Sequence, residues 1–167
     1  MRRLLLVVTS LLLAGTGAGA GLVQSSAAKA PVAACTIAGT AHITPGLSTA
    51  AQNFTYTFAG TFSGCKGGDG SVKSGTVTAS GSGNGSCAKS KTSGSVTVNW
   101  DNGSYSSIPI TTTGAAAALK VNGFVSSGTF AGKKTQALLA FEAQPQQCAA
   151  AGGVTDPTFN GVGELGE

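Results

Sequence analysis

The sequence predicts an all-β domain stapled by two disulfides, and three observations carry that prediction. From Phe54 to Phe62, aromatic residues alternate with small and polar ones. Four cysteines (Cys35, Cys65, Cys87 and Cys148) follow an export signal, the setting in which an even number of cysteines forms disulfides. The rest of the 167-residue chain consists of short β-branched runs separated by glycine-rich turns, with no amphipathic helix of useful length. Such a pattern predicts an antiparallel β-sandwich, Ig-like or Greek-key, with a small barrel as the alternative.

The export signal comes first. Arg2 and Arg3 form a positive start, Leu4 to Ala14 is apolar apart from Thr9 and Ser10, and Ala18-Gly19-Ala20 is an A-x-A cleavage site. Ser26-Ala27-Ala28 is a second, so residues 1–28 are expected to be removed, with cleavage after Ala20 or Ala28. An uncleaved anchor needs about 20 strongly apolar residues, and glycine alternates with small residues in the back half of this segment. Val32-Ala33-Ala34-Cys35 imitates a lipidation motif but lies too far from the apolar core. Residues 29–167 are expected to form one secreted domain, free of the membrane once the signal is gone.

Charge excludes one class of partner. Arg2 and Arg3 are the only arginines; without them eight lysines face six carboxylates, a net +2. Nucleic-acid binders carry clustered Arg and Lys interleaved with aromatics, and that pattern is absent. Lys89 with Lys91, and Lys133 with Lys134, read as solvated turn charges.

In the Phe54–Phe62 strand, Phe54, Tyr56, Phe58 and Phe62 share one face and the threonines the other. Ser74 to Ser80 and Val96 to Trp100 are the next strands, with Val96, Val98 and Trp100 facing inward. Gly67–Ser74 and Ser80–Ser86 read as flexible loops. At Asp101-Asn102-Gly103, a three-residue turn with Gly103 left-handed aligns Val96 with Ile108 and keeps Ile110 on the buried face. Pro109 cannot donate to a ladder, which argues for an edge position. Further strands are expected over Ala117–Val125, Ser127–Ala131, Gln136–Glu142 and Thr158–Leu165.

Strand order also orders the cysteines. If Cys35–Ile43 and Phe54–Gly64 form a hairpin, Cys35 and Cys65 meet at one end of the sheet. Cys87 then lies at the opposite end, where it must find Cys148.

The same residues exclude most chemistry. His42 is the only histidine and sits in a strand, where a structural role is expected. The cysteines are too dispersed for zinc. Of Asp69, Asp101, Glu142, Asp156, Glu164 and Glu167, only Glu142, closing an apolar strand, is unusual as a candidate acid. No catalytic residue, metal-ligand set or cofactor site is assigned, and the chain is expected not to be an enzyme. Trp100 and Tyr105 flank a hairpin and are the candidate ligand contacts for a sugar ring; the competing expectation is that Trp100 caps the core.

The segments Cys-Thr-Ile-Ala-Gly-Thr-Ala-His-Ile-Thr-Pro-Gly-Leu (35–47), Phe-Thr-Tyr-Thr-Phe-Ala-Gly-Thr-Phe-Ser-Gly-Cys (54–65) and Gly-Asn-Gly-Ser-Cys (83–87) resemble a group of small secreted actinobacterial proteins. The resemblance continues through 111–117 to 138–141 and implies secretion and fold without an activity. In size, export and cysteine count the chain is also similar to apo-chromoproteins, Ig-like sandwiches that carry an apolar antibiotic. It departs from them in spacing, since their disulfides close short local loops. The leading expectation is a non-catalytic secreted protein that binds a cell-surface component, such as the cell wall, or an extracellular partner. A carrier of a small apolar ligand comes second and a hydrolase third.

Overall fold

A computed structural model of the chain describes residues 33–67, 70–115, 117–142 and 145–166, with the side chains of Glu142 and Pro145 left aside. The expected signal, residues 1–28, and Asp69 lie outside the described residues, as does Glu167. The strands are β1 (Ala33–Thr44), β2 (Gln52–Lys66), β3 (Gly75–Gly85), β4 (Lys89–Trp100), β5 (Tyr105–Ala115), β6 (Ala118–Phe124), β7 (Ser127–Gly128), β8 (Lys134–Glu142) and β9 (Thr158–Leu165). A five-residue helix, α1 (Pro145–Ala149), lies between β8 and β9.

These strands form a closed antiparallel barrel of eight, in place of the expected sandwich. Each of β1 to β5 pairs with the next, β5 pairs with β6, β6 with β8 and β8 with β9. Pairing of β9 with β1, from Ala33↔Leu165 to Thr40↔Thr158, closes the ring, and β7 is a short appendix on β5. The topology is an up-and-down meander and contains no Greek key. Alternation along a strand shows that one face is buried; it does not show whether that face meets a second sheet or its own sheet curled round. The sandwich and the barrel share that signature.

Glycines supply the closure. Phe54, Tyr56 and Phe58 on β2 lie opposite Gly83, Gly81 and Ala79 on β3, and Gly81 lies opposite Gly94 on β4. A Cβ on Gly81 would strike the Ser93 carbonyl and the Tyr56 ring, and one on Gly94 would meet the Tyr56 hydroxyl. Large rings on one strand therefore occupy space that the next two strands vacate, which lets the wall bend inward. For this reason residues 80–85, expected as a loop, are strand: their glycine and serine content reflects an inner face that must stay empty.

The other elements follow from local chemistry. The β4–β5 turn is the three-residue type: the Trp100 N–H donates to the Ser104 carbonyl at 2.8 Å, and Gly103 has φ +83°. Val96 aligns with Ile108 as the buried face requires. Strand β5 is not an edge, contrary to the reading from Pro109. The proline sits where the pairing with β7 ends and that with β6 begins, a gap at which a missing donor is tolerated. Ser127–Ala131 contracts to two strand residues because the chain turns at Gly128 and Phe130, both at positive φ.

Both ends are stapled, and one of them is plugged. At one end Trp100 stacks on Phe62, with centroids 5.6 Å apart, and meets Phe130 edge-on, among buried Val98 and Val125. There Cys35–Cys65 ties β1 to β2. At the other end Leu47 and Val154 exchange backbone hydrogen bonds and pack with Ile43 and Phe54. Cys87–Cys148 joins the β3–β4 turn to α1 at this end. Free cysteines are absent, and no helix among the described residues is long and apolar enough to cross a membrane. The two disulfides are compatible with an extracellular location.

Candidate ligand cavity

Beyond the Trp100 plug the barrel holds a cavity of about 160 Å³. Its walls are the inward faces just described: Phe54, Tyr56 and Phe58 from β2, Ala79 from β3, Ile108 and Ile110 from β5, Ala137 and Leu139 from β8. It extends to the end of the barrel where the β3–β4 and β5–β6 turns lie, lined there by Ser86, Cys87, Lys89, Gly114 and Ala118. Lys89 is exposed, so this is the solvent end, and among the described residues it is the only charged one along the lining. Trp100 does not line the cavity; its plug closes the far end.

One stretch of wall is polar. The Thr92 and Thr112 hydroxyls, on neighbouring strands β4 and β5, are 2.8 Å apart. Tyr56 reaches across β3 toward them, over Gly81 and Gly94. Its hydroxyl is buried and completes no hydrogen bond of full geometry, although Thr92 stands close enough to act on it as a weak hydrogen-bonding neighbour. Burial pushes the phenol pKa up, and Thr92 offsets only part of the rise. The group is thus a neutral donor that makes no full hydrogen bond, its neighbour Thr92 being already engaged with Thr112. On the opposite side Ile43, Leu139, Phe141 and Phe159 present only carbon. The arrangement can hold a small apolar body; among the described residues it brings no carboxylate or histidine to bear on one.

The residues singled out in the sequence lie elsewhere. Trp100 is 4 % exposed and donates its indole N–H to Ser106 Oγ at 2.9 Å, whereas Tyr105 is 51 % exposed on the outer surface. The two do not share a rim. Asp101 accepts from the Lys73 backbone N–H, 28 positions away, and so ties the β4–β5 turn to the segment before β3, while Asn102 makes the local turn hydrogen bond to the Ser104 N–H. No group of three or more histidine, cysteine, aspartate or glutamate residues among those described could hold a metal.

His42 has a partner the sequence did not reveal. Its Nδ1 lies 2.7 Å from Asp156 Oδ1, and Thr44 Oγ1 is 3.4 Å from Nε2. The order Asp–His–hydroxyl imitates a hydrolytic triad, but it stands on the outside of the barrel, with side chains 63 % and 58 % exposed for His42 and Asp156. The Thr44 contact is longer than the reach of about 2.6–3.2 Å at which a base takes a proton from a nucleophile, and His42 and Asp156 both stand open to solvent. Hydrogen bonds from His42 and Thr155 hold the Asp156 carboxyl below the usual range. Whatever stability it lends is present above the ordinary carboxylate range and fades as pH falls through the lowered pKa. Replacing His42 with alanine is expected to move the Asp156 titration upward, followed by carboxyl NMR shifts, while the thermal midpoint hardly changes. A collapse of stability in that variant would contradict the surface role.

Tyr56, Thr92, Thr112 and Lys89 went unrecognised in the sequence, where Tyr56 counted as ordinary core and Lys89 as a turn charge. The available signal was a mismatch of volume: an aromatic strand followed by a glycine strand cannot fill its own interior. Compared with known protein families, curated proteins and solved structures, the chain matches none.

Proposed function

We propose that the protein carries a small, predominantly apolar molecule inside its barrel, without chemically altering it. The observation that carries this reading is the carbon-lined cavity, plugged at one end and reaching solvent at the other. A dry apolar cavity of about 150 Å³ suffices to hold benzene, so this one suits a compact ligand of about one ring. Eight strands is also the barrel size at which the interior holds one small ligand. Two disulfides and an N-terminal export pattern suit a carrier working outside the cell, where no reductant dismantles it.

A second reading rests on the outer surface. Exposed hydroxyls run across adjacent strands, as in the row Thr44, Thr55, Ser82, Ser93 and Thr111. That face suits contact with a hydroxyl-rich partner such as cell wall. The two readings separate with one variant, Ala79→Phe, which puts a ring into the cavity and leaves the outside unchanged.

With α-methylstyrene as probe, saturable amide shifts of barrel residues are expected in the native protein. In Ala79→Phe the affinity should fall by about tenfold or more, because part of the buried ligand area is lost. Retention on cell wall, if present, should be the same in both. Absence of saturable shifts in the native protein, or undiminished affinity in the variant, would remove the carrier reading.

A further inference from the structure

We infer that the molecule held in the barrel bears a neutral oxygen acceptor, of the ketone, aldehyde or ester type, positioned to accept the Tyr56 O–H. The inference rests on the carrier reading and adds the chemistry of what is carried.

The Tyr56 hydroxyl completes no hydrogen bond within the protein itself. Buried polar atoms are nearly always hydrogen-bonded, and leaving one unsatisfied costs more than a typical hydrogen bond returns. Among the described residues the Tyr56 hydroxyl is the one buried side-chain polar atom without a partner. Phenylalanine would fill the same space without that penalty, and the neighbouring inward positions Phe54 and Phe58 are phenylalanine. The hydroxyl is not simply facing solvent either. It lies within the wall, over Gly94, whose missing Cβ leaves it room.

The surroundings then select the partner. Burial keeps the phenol protonated, so it offers a donor. Thr92 and Thr112 are engaged with each other at 2.8 Å and extend the polar spot beside it. A carboxylate at this depth would be desolvated with no cation near it, since Lys89, the only charged lining residue among those described, is exposed at the solvent end. A pure hydrocarbon would seal the orphan donor away from water. A carbonyl on an otherwise apolar body satisfies the donor, brings no charge, and leaves its carbon surface to the Ile43, Leu139 and Phe159 side.

Two probes of nearly the same shape test this: acetophenone, and α-methylstyrene, in which a methylene replaces the carbonyl oxygen. Each is titrated into the full chain and into Tyr56→Phe, with affinities read from amide shifts. The expected result is that the ratio of ketone to hydrocarbon affinity falls by about tenfold from native to variant. Taking the ratio cancels the cost of desolvating the ketone, which both proteins meet. The unliganded variant is expected to melt at the same temperature as the native protein, or higher.

Equal ratios, with both probes binding, would overturn the inference and leave the carrier reading intact. The phenol would then be served by a trapped water or be merely structural. A lower melting temperature for Tyr56→Phe would also overturn it, by showing that the hydroxyl already has a partner. If neither probe binds either protein, the carrier reading falls and this inference with it.

Discussion

Replacing Trp100 with alanine is expected to remove about 3–5 kcal/mol of folding stability, the range for deleting a large aromatic side chain from a core. The indole is 4 % exposed, stacks on Phe62 at 10° between planes, and receives the edge of Phe130. Its N–H donates to Ser106 Oγ, which in turn donates to the Thr129 carbonyl at 2.5 Å. Ser106 is wholly buried, so the chain of hydrogen bonds pins β5 and the turn after β7 to the closed end of the barrel. Alanine removes both ring contacts and unplugs that end into the cavity above. Trp100→Phe keeps a ring and loses the N–H, and should cost less. Denaturant unfolding gives both values. A Trp100→Ala protein of native stability that no longer bound cell wall would show that the ring serves a surface and not the core.

Removing the Cys87–Cys148 disulfide, as Cys87→Ser with Cys148→Ser, is expected to cost about 4 kcal/mol on the chain-entropy account. The bridge spans 61 residues, against 30 for Cys35–Cys65. More than length distinguishes the two. Cys35 and Cys65 lie on strands that are already paired, while Cys87–Cys148 holds α1, which no ladder holds, against the open end of the barrel. The Cys87 backbone N–H also donates to the Ser48 carbonyl, so the bridge links the β3–β4 turn to the segment after β1 as well. The double variant should therefore unfold at lower denaturant and bind the probe hydrocarbon less tightly, because the mouth loses its brace. An unchanged unfolding midpoint would mean that α1 is held by its packing alone.

Most of the strands could be read from side-chain alternation, and the register of β4 on β5 from the need to keep Val96 opposite Ile108. Both cysteine pairs followed from which strand ends meet. What the sequence did not reveal was closure. Nothing local distinguishes a sheet that packs on another from one that packs on itself; the difference lies in β9 returning to β1 across the whole chain. Residues 80–85 were misread for a related reason, since the glycines that look like a loop are the counterpart of Phe54, Tyr56 and Phe58. The cavity was hidden by the same step. Tyr56 looks like core until its neighbours prove too small to cover it, and the His42–Asp156 contact joins residues 114 positions apart.

The pairing of β1 with β9 has a kinetic meaning. Every other ladder in the ring joins barrel strands that follow one another in the chain, most of them as local hairpins and β8 with β9 across the segment that carries α1. Closure must wait for residues 158–165, and only then does β1 gain its second neighbour and the ring its last ladder. Bringing distant ends together costs entropy before it returns contacts, which makes such topologies slow to fold. Until that moment the outer strands of the curled sheet are bare ladders able to recruit another copy. The final eight-residue strand is therefore both the latch of the barrel and its protection against self-association, and the interval before it docks is when the chain is most exposed to aggregation.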